Sequence, residues 1–407
     1  MKRTVLLIVG LIALAGCEMV DFGFGGEARG GRTTPGSSGR QRDTSSVAGE
    51  PARADTIIWT CAVKVPDGYD WARDTSAGHF SGELLLYRNS EPELILPVGG
   101  QAPIGPDPGS HHLAGGHLYT EYYTEGQTIV LREGKPFLQL DGACFLKGLL
   151  PGKDGSALTL FCSLSDGGLL LLRDSELLLK INGGSAPGGL GEGRPSLYED
   201  EGHYCFEYRN GDSFYSVRDG IISAVMPPEA GLTVEDYRWF AGKQTLLLRK
   251  GQFHYLYEDG EKRKVTQMSM DMQLIEAGGV MYACGVSSHR GKSIIYAKDL
   301  PAFTDLFFTG SDPWLLCSED GLFCVQGRDP LIIGRPARSA GGTTAEFSDR
   351  DLMVFSAECV SVCGRDLLLG ASVPGSHPVL MRGGRVVGEF PFEGYVTAVG
   401  VEIIPPS

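Results

Sequence analysis

The chain has 407 residues, of which 42% are hydrophobic and 21% charged, a composition typical of a globular protein and not of a disordered one. The formal net charge of −14 argues against a nucleic-acid surface, because phosphate binding requires clustered lysine and arginine side chains. Glycine occupies 58 positions, about twice the usual share, which predicts many turns.

The N-terminus has the features of a secretory signal. Two cations, Lys2 and Arg3, precede the apolar run TVLLIVGLIALAG, which is too short to span a bilayer as a mature helix. The sequence LAGC that ends at Cys17 resembles the lipobox of bacterial lipoproteins. This resemblance implies cleavage of residues 1–16 and acylation of Cys17, so that the chain is anchored to a membrane. Glu18 in place of Asp implies an outer-membrane lipoprotein, facing the periplasm or the cell surface. The alternative is a plain signal with an incidental cysteine.

Residues 17–54 are rich in Gly, Ser, Thr, Arg and Pro and contain few apolar residues, which predicts a flexible tether. The folded domain is predicted to span residues 55–407.

A hairpin pattern recurs along this domain, in which two apolar runs flank a short charged or glycine-rich turn, as in QTIVLREGKPFLQLDG. The spacing of the turns is about 40 to 46 residues, a period typical of propeller repeats. The predicted turns lie near Asn89, Gly134, Ser175, Asp219, Gly260, Asp299, Ala340 and Gly383.

Each repeat contains four predicted strands, and no stretch has convincing helical periodicity. Several strands, such as 169–172, 177–179, 246–248 and 367–369, are apolar at every position, which predicts burial on both faces of a sheet. The chain therefore resembles a β-propeller, an all-β fold, with eight blades of four antiparallel strands. Seven blades is the alternative, because the seventh repeat has a longer turn. No WD40 or kelch signature accompanies the period.

The two ends of the domain are complementary. The first repeat begins with TIIWTCAVKV and lacks an innermost strand, whereas the final GYVTAVGVEII resembles an innermost strand that no repeat follows. We predict that the C-terminal strand pairs into the first blade and closes the ring.

The connections between strands predict a working face. With the strands named A to D from the axis outward, the A–B and C–D turns lie on one face and the B–C and D–A connections on the other. The second set contains the long segments, such as residues 65–80, and long loops on a rigid scaffold carry function. The binding candidates on that face are Tyr69, Trp71, Arg73, His111, His112, Tyr237, Trp239, His289, Arg290 and Trp314.

Each aromatic candidate also has a structural alternative. Trp239 and Trp314 lie in or beside A strands, where packing between blades would equally explain them. Trp71 lies in a segment rich in Gly and Asp, which favours exposure. Trp59, in a B strand, is predicted to belong to the core.

The cysteines and histidines suggest little chemistry. His111 and His112 are adjacent, so on a strand they point to opposite sides, and no metal site is predicted. Most of the ten cysteines lie in apolar strands, where buried free thiols are common. One candidate disulfide joins Cys317 to Cys324, because a turn at Asp320 and Gly321 would place the two cysteines opposite each other.

The sequence favours a membrane-anchored, non-catalytic propeller that binds a protein or glycan partner through its B–C and D–A face. No catalytic residue, cofactor, metal or nucleic acid is predicted, and whether the chain is an enzyme is left open. The alternative is a glycan-acting hydrolase or lyase that uses carboxylates of that face, drawn from Asp70, Asp74, Asp107, Glu235 and Asp236. A third possibility is a structural role within an envelope assembly.

Overall fold

A computed structural model gives the architecture of the part of the chain that is folded into strands. It describes residues 55–71, 80–102, 104–105, 108–152, 154–165, 167–186, 196–266, 272–287, 292–297, 304–306, 314–318, 321–327, 331–336, 343–349, 351–373 and 375–404. Residues Ala52–Ser407 cluster as one compact unit. Within the described ranges no helix has the length and apolar character needed to cross a bilayer.

The first half of the chain supplies the strands of four blades. Those of the first blade are β1 (Asp55–Lys64), β2 (Ser81–Arg88) and β3 (Glu91–Gly99). Those of the second are β4 (His111–Ala114), β5 (His117–Thr124), β6 (Gln127–Arg132) and β7 (Lys135–Asp141). Those of the third are β8 (Cys144–Pro151), β9 (Ala157–Ser163), β10 (Leu169–Arg173) and β11 (Glu176–Ile181). Those of the fourth are β12 (Leu197–Asp200), β13 (His203–Asn210), β14 (Ser213–Arg218) and β15 (Ile221–Val225).

The second half repeats this pattern. The fifth blade contains β16 (Thr233–Phe240), β17 (Lys243–Lys250), β18 (Phe253–Glu258) and β19 (Glu261–Thr266). The sixth contains β20 (Met272–Ala277), β21 (Val280–Ser287), β22 (Lys292–Ala297) and β23 (Thr304–Leu306). The seventh contains β24 (Trp314–Ser318), β25 (Gly321–Gln326), β26 (Leu331–Pro336) and β27 (Thr343–Asp349). The eighth contains β28 (Val360–Cys363), β29 (Asp366–Ala371), β30 (Val379–Arg382) and β31 (Arg385–Glu389), and β32 (Gly394–Ile404) follows it. Short 3-10 helices span Pro108–Ser110 and Ala357–Cys359.

The C-terminal strand closes the ring, as the sequence predicted. The described strands form eight four-stranded sheets, and the order in the first is β3-β2-β1-β32. Strand β32 pairs antiparallel with β1 from Asp55 opposite Ile404 to Lys64 opposite Gly394. The first blade is therefore built from both ends of the domain, and its inner strand comes from the C-terminus.

The hydrophobic core lies in the seams between neighbouring blades. In β17, Leu246 and Leu248 pack into the seam with the fourth blade, whereas Leu247 packs into the seam with the sixth. Because successive side chains of a strand point to opposite faces, a middle strand must be apolar at every position to fill both seams. Burial of each such leucine contributes about 1.5–3 kcal/mol. The innermost strands of adjacent blades also contact each other around the ring.

Several of the described C–D turns anchor the start of a B strand. In the second blade the backbone N–H of Glu133 donates to the carbonyl of Leu118, and the Glu133 carboxylate is 2.6 Å from His117 Nδ1. In the fourth blade Asp219 makes the same two contacts, with Tyr204 and His203. Each of the eight predicted turn positions lies between the C strand and the D strand of one blade. The turn spacing therefore predicted the blades correctly.

The outermost strands depart from the expected burial. The run Leu177–Leu179 was predicted to be buried on both faces, but Leu177 in β11 is 52% exposed. The reason is its place at the outer edge of a sheet, where no further strand and little neighbouring blade cover it. Strand β15 is exposed in the same way and contains no charged residue or proline.

Two glycines of the eighth blade test the packing against β32. Neither has a positive φ, and a Cβ at Gly370 would overlap the Val396 side chain, whereas a Cβ at Gly388 would meet its nearest atom at 3.7 Å. We expect Gly370→Ala to destabilise the fold by about 2 kcal/mol through overpacking. Gly388→Ala should be neutral or stabilising by about 0.5 kcal/mol, because alanine restricts the unfolded chain. Urea denaturation measures both, and equal effects would contradict the packing described for β32.

Candidate functional site

The strand bounds define two unlike faces. Residues 65–80, 100–110, 182–196, 226–232, 350–359 and 372–378 connect strands at the B–C and D–A ends of the blades, hereafter the long-connection face. The A–B and C–D connections at the opposite end, hereafter the tight-turn face, are mostly two residues long, with 152–156, 298–303 and 337–342 as the longer ones. The predicted asymmetry between the faces is therefore present.

The aromatic side chains of the first long connection are packed inward. Trp71 is only 9% exposed, and its ring centroid lies 5.2 Å from Tyr395 and 5.4 Å from Phe355. Tyr69 is half-buried, with its ring centroid 4.7 Å from that of Phe80. The expectation that Trp71 is exposed was wrong, because the connection folds back over the seam and buries the indole against other rings.

His111 and His112 are also structural. His111 is fully buried and its Nε2 is 2.8 Å from the Gly105 carbonyl. A carbonyl oxygen only accepts, so Nε2 carries the proton. His112 Nδ1 is 2.7 Å from the Glu358 carboxylate, a contact between the second blade and the connection that precedes the eighth. The two histidines thus tie long connections to β4.

The remaining described candidates pack between blades. Tyr237 is 1% exposed, and the Trp239 indole donates to Ser216 Oγ at 2.8 Å while the Arg218 guanidinium lies 4.4 Å from its ring centroid. Trp314 is half-buried against the core of the seventh and eighth blades. For Trp239 and Trp314 the alternative of packing between blades is the one that the structure supports.

Several predicted residues lie outside the described part of the chain. They are Cys17, Arg73, His289 and Arg290 among the site residues, and Asp74 and Asp107 among the acids.

The predicted disulfide is not formed. Cys324 lies opposite Leu315, Cys317 lies opposite Leu322, and Cys324 is a buried free thiol. The hairpin pairs Ser318 with Gly321, so the partner of Cys317 lies two residues before the one that the sequence suggested. A disulfide needs Cα atoms within about 7 Å, which a diagonal pair does not offer.

A polar cluster on the long-connection face, which we call the Glu235 cluster, remains accessible. Its residues are Glu235, Arg249, His254 and Arg209. The register of β16 and β17 shifts between Val234 and Asp236, so Glu235 is the extra residue of a β-bulge. Bulges redirect a side chain and are enriched beside functional sites.

The charges of this cluster are only partly compensated. Arg249 Nε lies 3.0 Å from Glu235 Oε1, and the Arg249 side chain remains 40% exposed. Nε2 of the buried His254 lies 3.9 Å from Glu235 Oε2, and the exposed Arg209 guanidinium donates to the Glu235 carbonyl. His254 and Arg249 together lower the pKa of Glu235, which is therefore ionised. Arg249 pairs with the Glu235 carboxylate, whereas Arg209 contacts only the Glu235 backbone carbonyl, so the cluster contains one more guanidinium than carboxylate and can accept a further anionic group.

Its neighbour Asp236 has a different role. Asp236 is 2% exposed, and its carboxylate accepts the backbone N–H groups of Tyr237 at 2.8 Å and of Leu274 at 2.6 Å. This carboxylate joins the fifth blade to the sixth. An ionised Glu235 beside a fully engaged Asp236 is a poor acid–base pair for glycoside hydrolysis.

The sequence named Glu235 only as one of several acids on this face. Arg249 and His254 could have been noticed in the B–C segment LLLRKGQFH, where cations flank a tight turn. Their convergence on Glu235 depends on the bulge and on strand register. Among the described side chains no group of three or more His, Cys, Asp or Glu residues is arranged to hold a metal ion.

Comparisons with known proteins show the fold and no more. The structure of apo AztD from Citrobacter koseri is similar at a TM-score of 0.50 and 10% sequence identity, over 85% of this chain and 98% of that chain. The dihydro-heme d1 dehydrogenase NirN, in complex with DHE, is similar at a TM-score of 0.50 and 11% identity, over 83% of this chain and 74% of that chain. No protein-family model matches the chain, and no curated protein matches it. The chain is therefore an eight-bladed β-propeller for which no family is shown.

The burial of His111 predicts a pH dependence of stability. Burial lowers the pKa of His111 from 6.5 to about 4. Between these two values the unfolded chain binds a proton that the folded chain does not, so stability falls as the pH falls through this window. The loss reaches about 3 kcal/mol below pH 4.

His111→Gln tests this effect, because the glutamine amide can still donate to Gly105 but does not titrate. We expect urea midpoints of the wild type to fall more steeply than those of His111→Gln between pH 6.5 and pH 4. Parallel pH profiles would show that His111 is not the titrating group.

Proposed function

We propose that the chain is a membrane-anchored, non-catalytic β-propeller that binds a protein or glycan partner through its long-connection face. The observation that carries this proposal is the asymmetry of the two faces. The longer connections, such as residues 65–80 and 182–196, lie together on one face, and the accessible Glu235 cluster lies on the same face.

If Cys17 carries lipid, as its sequence context implies, the chain is held at a membrane through its N-terminal segment. The long-connection face is the surface on which we expect the partner to bind, because long loops on a rigid scaffold carry function.

The Glu235 cluster indicates the chemistry of the partner. The aromatic candidates on this face are buried or half-buried against neighbouring side chains, so they offer little area for an apolar hot spot. The exposed Arg209 and the partly exposed Arg249 instead provide cationic hydrogen-bond donors on a protein of net charge −14. Guanidinium groups pair with carboxylates in a directional way. The partner is therefore expected to present a carboxylate, as an acidic sugar or an acidic side chain does.

Arg249→Gln tests the site. Loss of one charge-assisted hydrogen bond should weaken partner binding by about tenfold. Lys243→Gln is the matched control, because Lys243 is an exposed cation at the other end of the same strand, on the tight-turn face, paired with Asp259 at 2.7 Å. Binding is measured on an array that pairs each uronate-containing glycan with its carboxyl-reduced form, and by crosslinking capture from envelope membranes.

The expected result is retention of a protein or acidic glycan that Arg249→Gln weakens and Lys243→Gln does not. Equal losses in both variants would reject the long-connection face. Failure of the wild type to retain any protein or glycan would leave the structural role in an envelope assembly as the better explanation.

Cys17→Ser tests the anchor. A serine lacks the thiol that is acylated in lipoproteins, so the variant should lose labelled palmitate and move from the membrane fraction to the soluble fraction. Unchanged membrane association and unchanged labelling would show that Cys17 is not the anchor.

A further inference from the structure

A concave pocket lies on the tight-turn face, between the first and second blades. It has a volume of about 220 Å³, and its lining residues come from β1, from the end of β4 and its turn, and from the end of β32: Trp59, Leu113, Ala114, Gly115, Gly116, Gly400, Val401 and Glu402. Space of this size corresponds to about seven water molecules in the liquid. The pocket is too small for a drug-sized ligand and suits a single ring.

One side of the pocket combines an indole with a carboxylate. Trp59 Nε1 donates to Glu402 Oε2 at 3.0 Å, and both side chains are half-buried. Glu402 Oε1 has no bond partner among the described residues and can accept a hydrogen bond. Trp59 packs against the core of the first and second blades, as the sequence predicted, and it also borders the pocket.

Glycines keep the pocket open. Gly400 lies within β32 and has no positive φ, and a Cβ there would meet its nearest atoms, Trp59 Cβ and Leu113 Cδ1, at 3.7 and 3.8 Å. These are ordinary contact distances, so neither backbone conformation nor crowding requires glycine. A glycine within a strand weakens it and often marks the close approach of a ligand. The open space at Gly400 is part of the pocket.

The turn of the second blade lies beside the Trp59 and Glu402 side chains. Gly116 has a φ of +74°, and a Cβ there would lie 3.1 Å from Glu402 Oε2. A side chain at this position would press on the carboxylate that orients the Trp59 indole. The glycine therefore brings backbone, with its polar groups, to the edge of the pocket.

The local charge selects the class of ligand. The Arg88 guanidinium lies 5.7 Å from the Trp59 ring centroid and offsets the charge of Glu402. The surroundings are thus close to neutral, which disfavours a strongly charged ligand. An aromatic ring beside a free carboxylate oxygen is suited to a neutral molecule that has an apolar face and hydroxyl donors at its rim.

We propose that this pocket binds one neutral pyranose ring, whose C–H face stacks on Trp59 and whose hydroxyl donates to Glu402 Oε1. The site is on the face opposite the Glu235 cluster, so it is independent of the proposed function. The ring can belong to a free monosaccharide or to the end of a glycan chain.

Gly400→Ala is the decisive variant, because its methyl group enters the pocket without strain. Its matched control is Gly388→Ala, a strand glycine with similarly open surroundings in another blade. The full chain is titrated with methyl glucoside, methyl galactoside and methyl mannoside, with the corresponding disaccharides, and with methylammonium. Binding is followed by saturation-transfer NMR and tryptophan fluorescence, and melting temperature is measured for each protein.

The wild type is expected to bind at least one neutral glycoside saturably, and Gly400→Ala to weaken it about tenfold with an unchanged or raised melting temperature. Gly388→Ala should bind as the wild type does. Glu402→Gln, which keeps the shape but removes the charge, should weaken the glycoside several-fold.

Tighter binding of a disaccharide would assign the pocket to a glycan end, and equal binding would assign it to a free sugar. The proposal is overturned if no glycoside binds, if Gly400→Ala binds as well as the wild type, or if only methylammonium binds and Glu402→Gln abolishes it.

Discussion

The pairing of β1 with β32 is the constraint on which the rest of the structure depends. Blades of this chain are apolar on both faces, so every blade needs a neighbour on each side. Without β32, the seams that contain Ala62 and Cys61 would lose Val396 and Ala398, which pack there. Closure also makes β1 the second strand of its blade, and hence decides which face holds the long connections.

The architecture could be predicted because its signals are local. A two-residue turn with positive φ at both positions, such as Asp219 and Gly220, requires the residue types that mark it in the sequence.

The burial of individual side chains was predicted less well than the strand pattern. Trp71 lies in a polar segment, and its neighbours in the sequence give no sign that Phe355 and Tyr395 pack against its indole. Leu177 is apolar like Leu247, yet one lies at the rim of a sheet and the other in its middle. The position of a strand within its blade decides whether a leucine is buried, and the local composition does not reveal that position.

The candidate sites were only partly visible for a related reason. Glu235 was named as an acid of the correct face, but its meeting with Arg249 and His254 requires a bulge that shifts the register by one residue. In the seventh blade, a difference of two residues in the pairing of β24 with β25 separates Cys317 from Cys324. The Trp59 pocket was not predicted, because it depends on the absence of a side chain at Gly400, and the sequence does not show which glycine lines a pocket. Strand register and the space beside a glycine are decided by the folded ring and cannot be read from neighbouring residues in the sequence.

Closure by the last strand also bears on how the protein is made. Trp59 and Glu402, joined by a hydrogen bond, are 343 residues apart in the sequence. A chain that emerges from the ribosome N-terminus first must keep β1 unpaired on one edge until β32 has been synthesised. Such distant contacts slow folding, because a long loop must be ordered before they form. Until β32 pairs with β1, the first blade therefore presents an open, apolar seam, and an exposed surface of this kind favours aggregation.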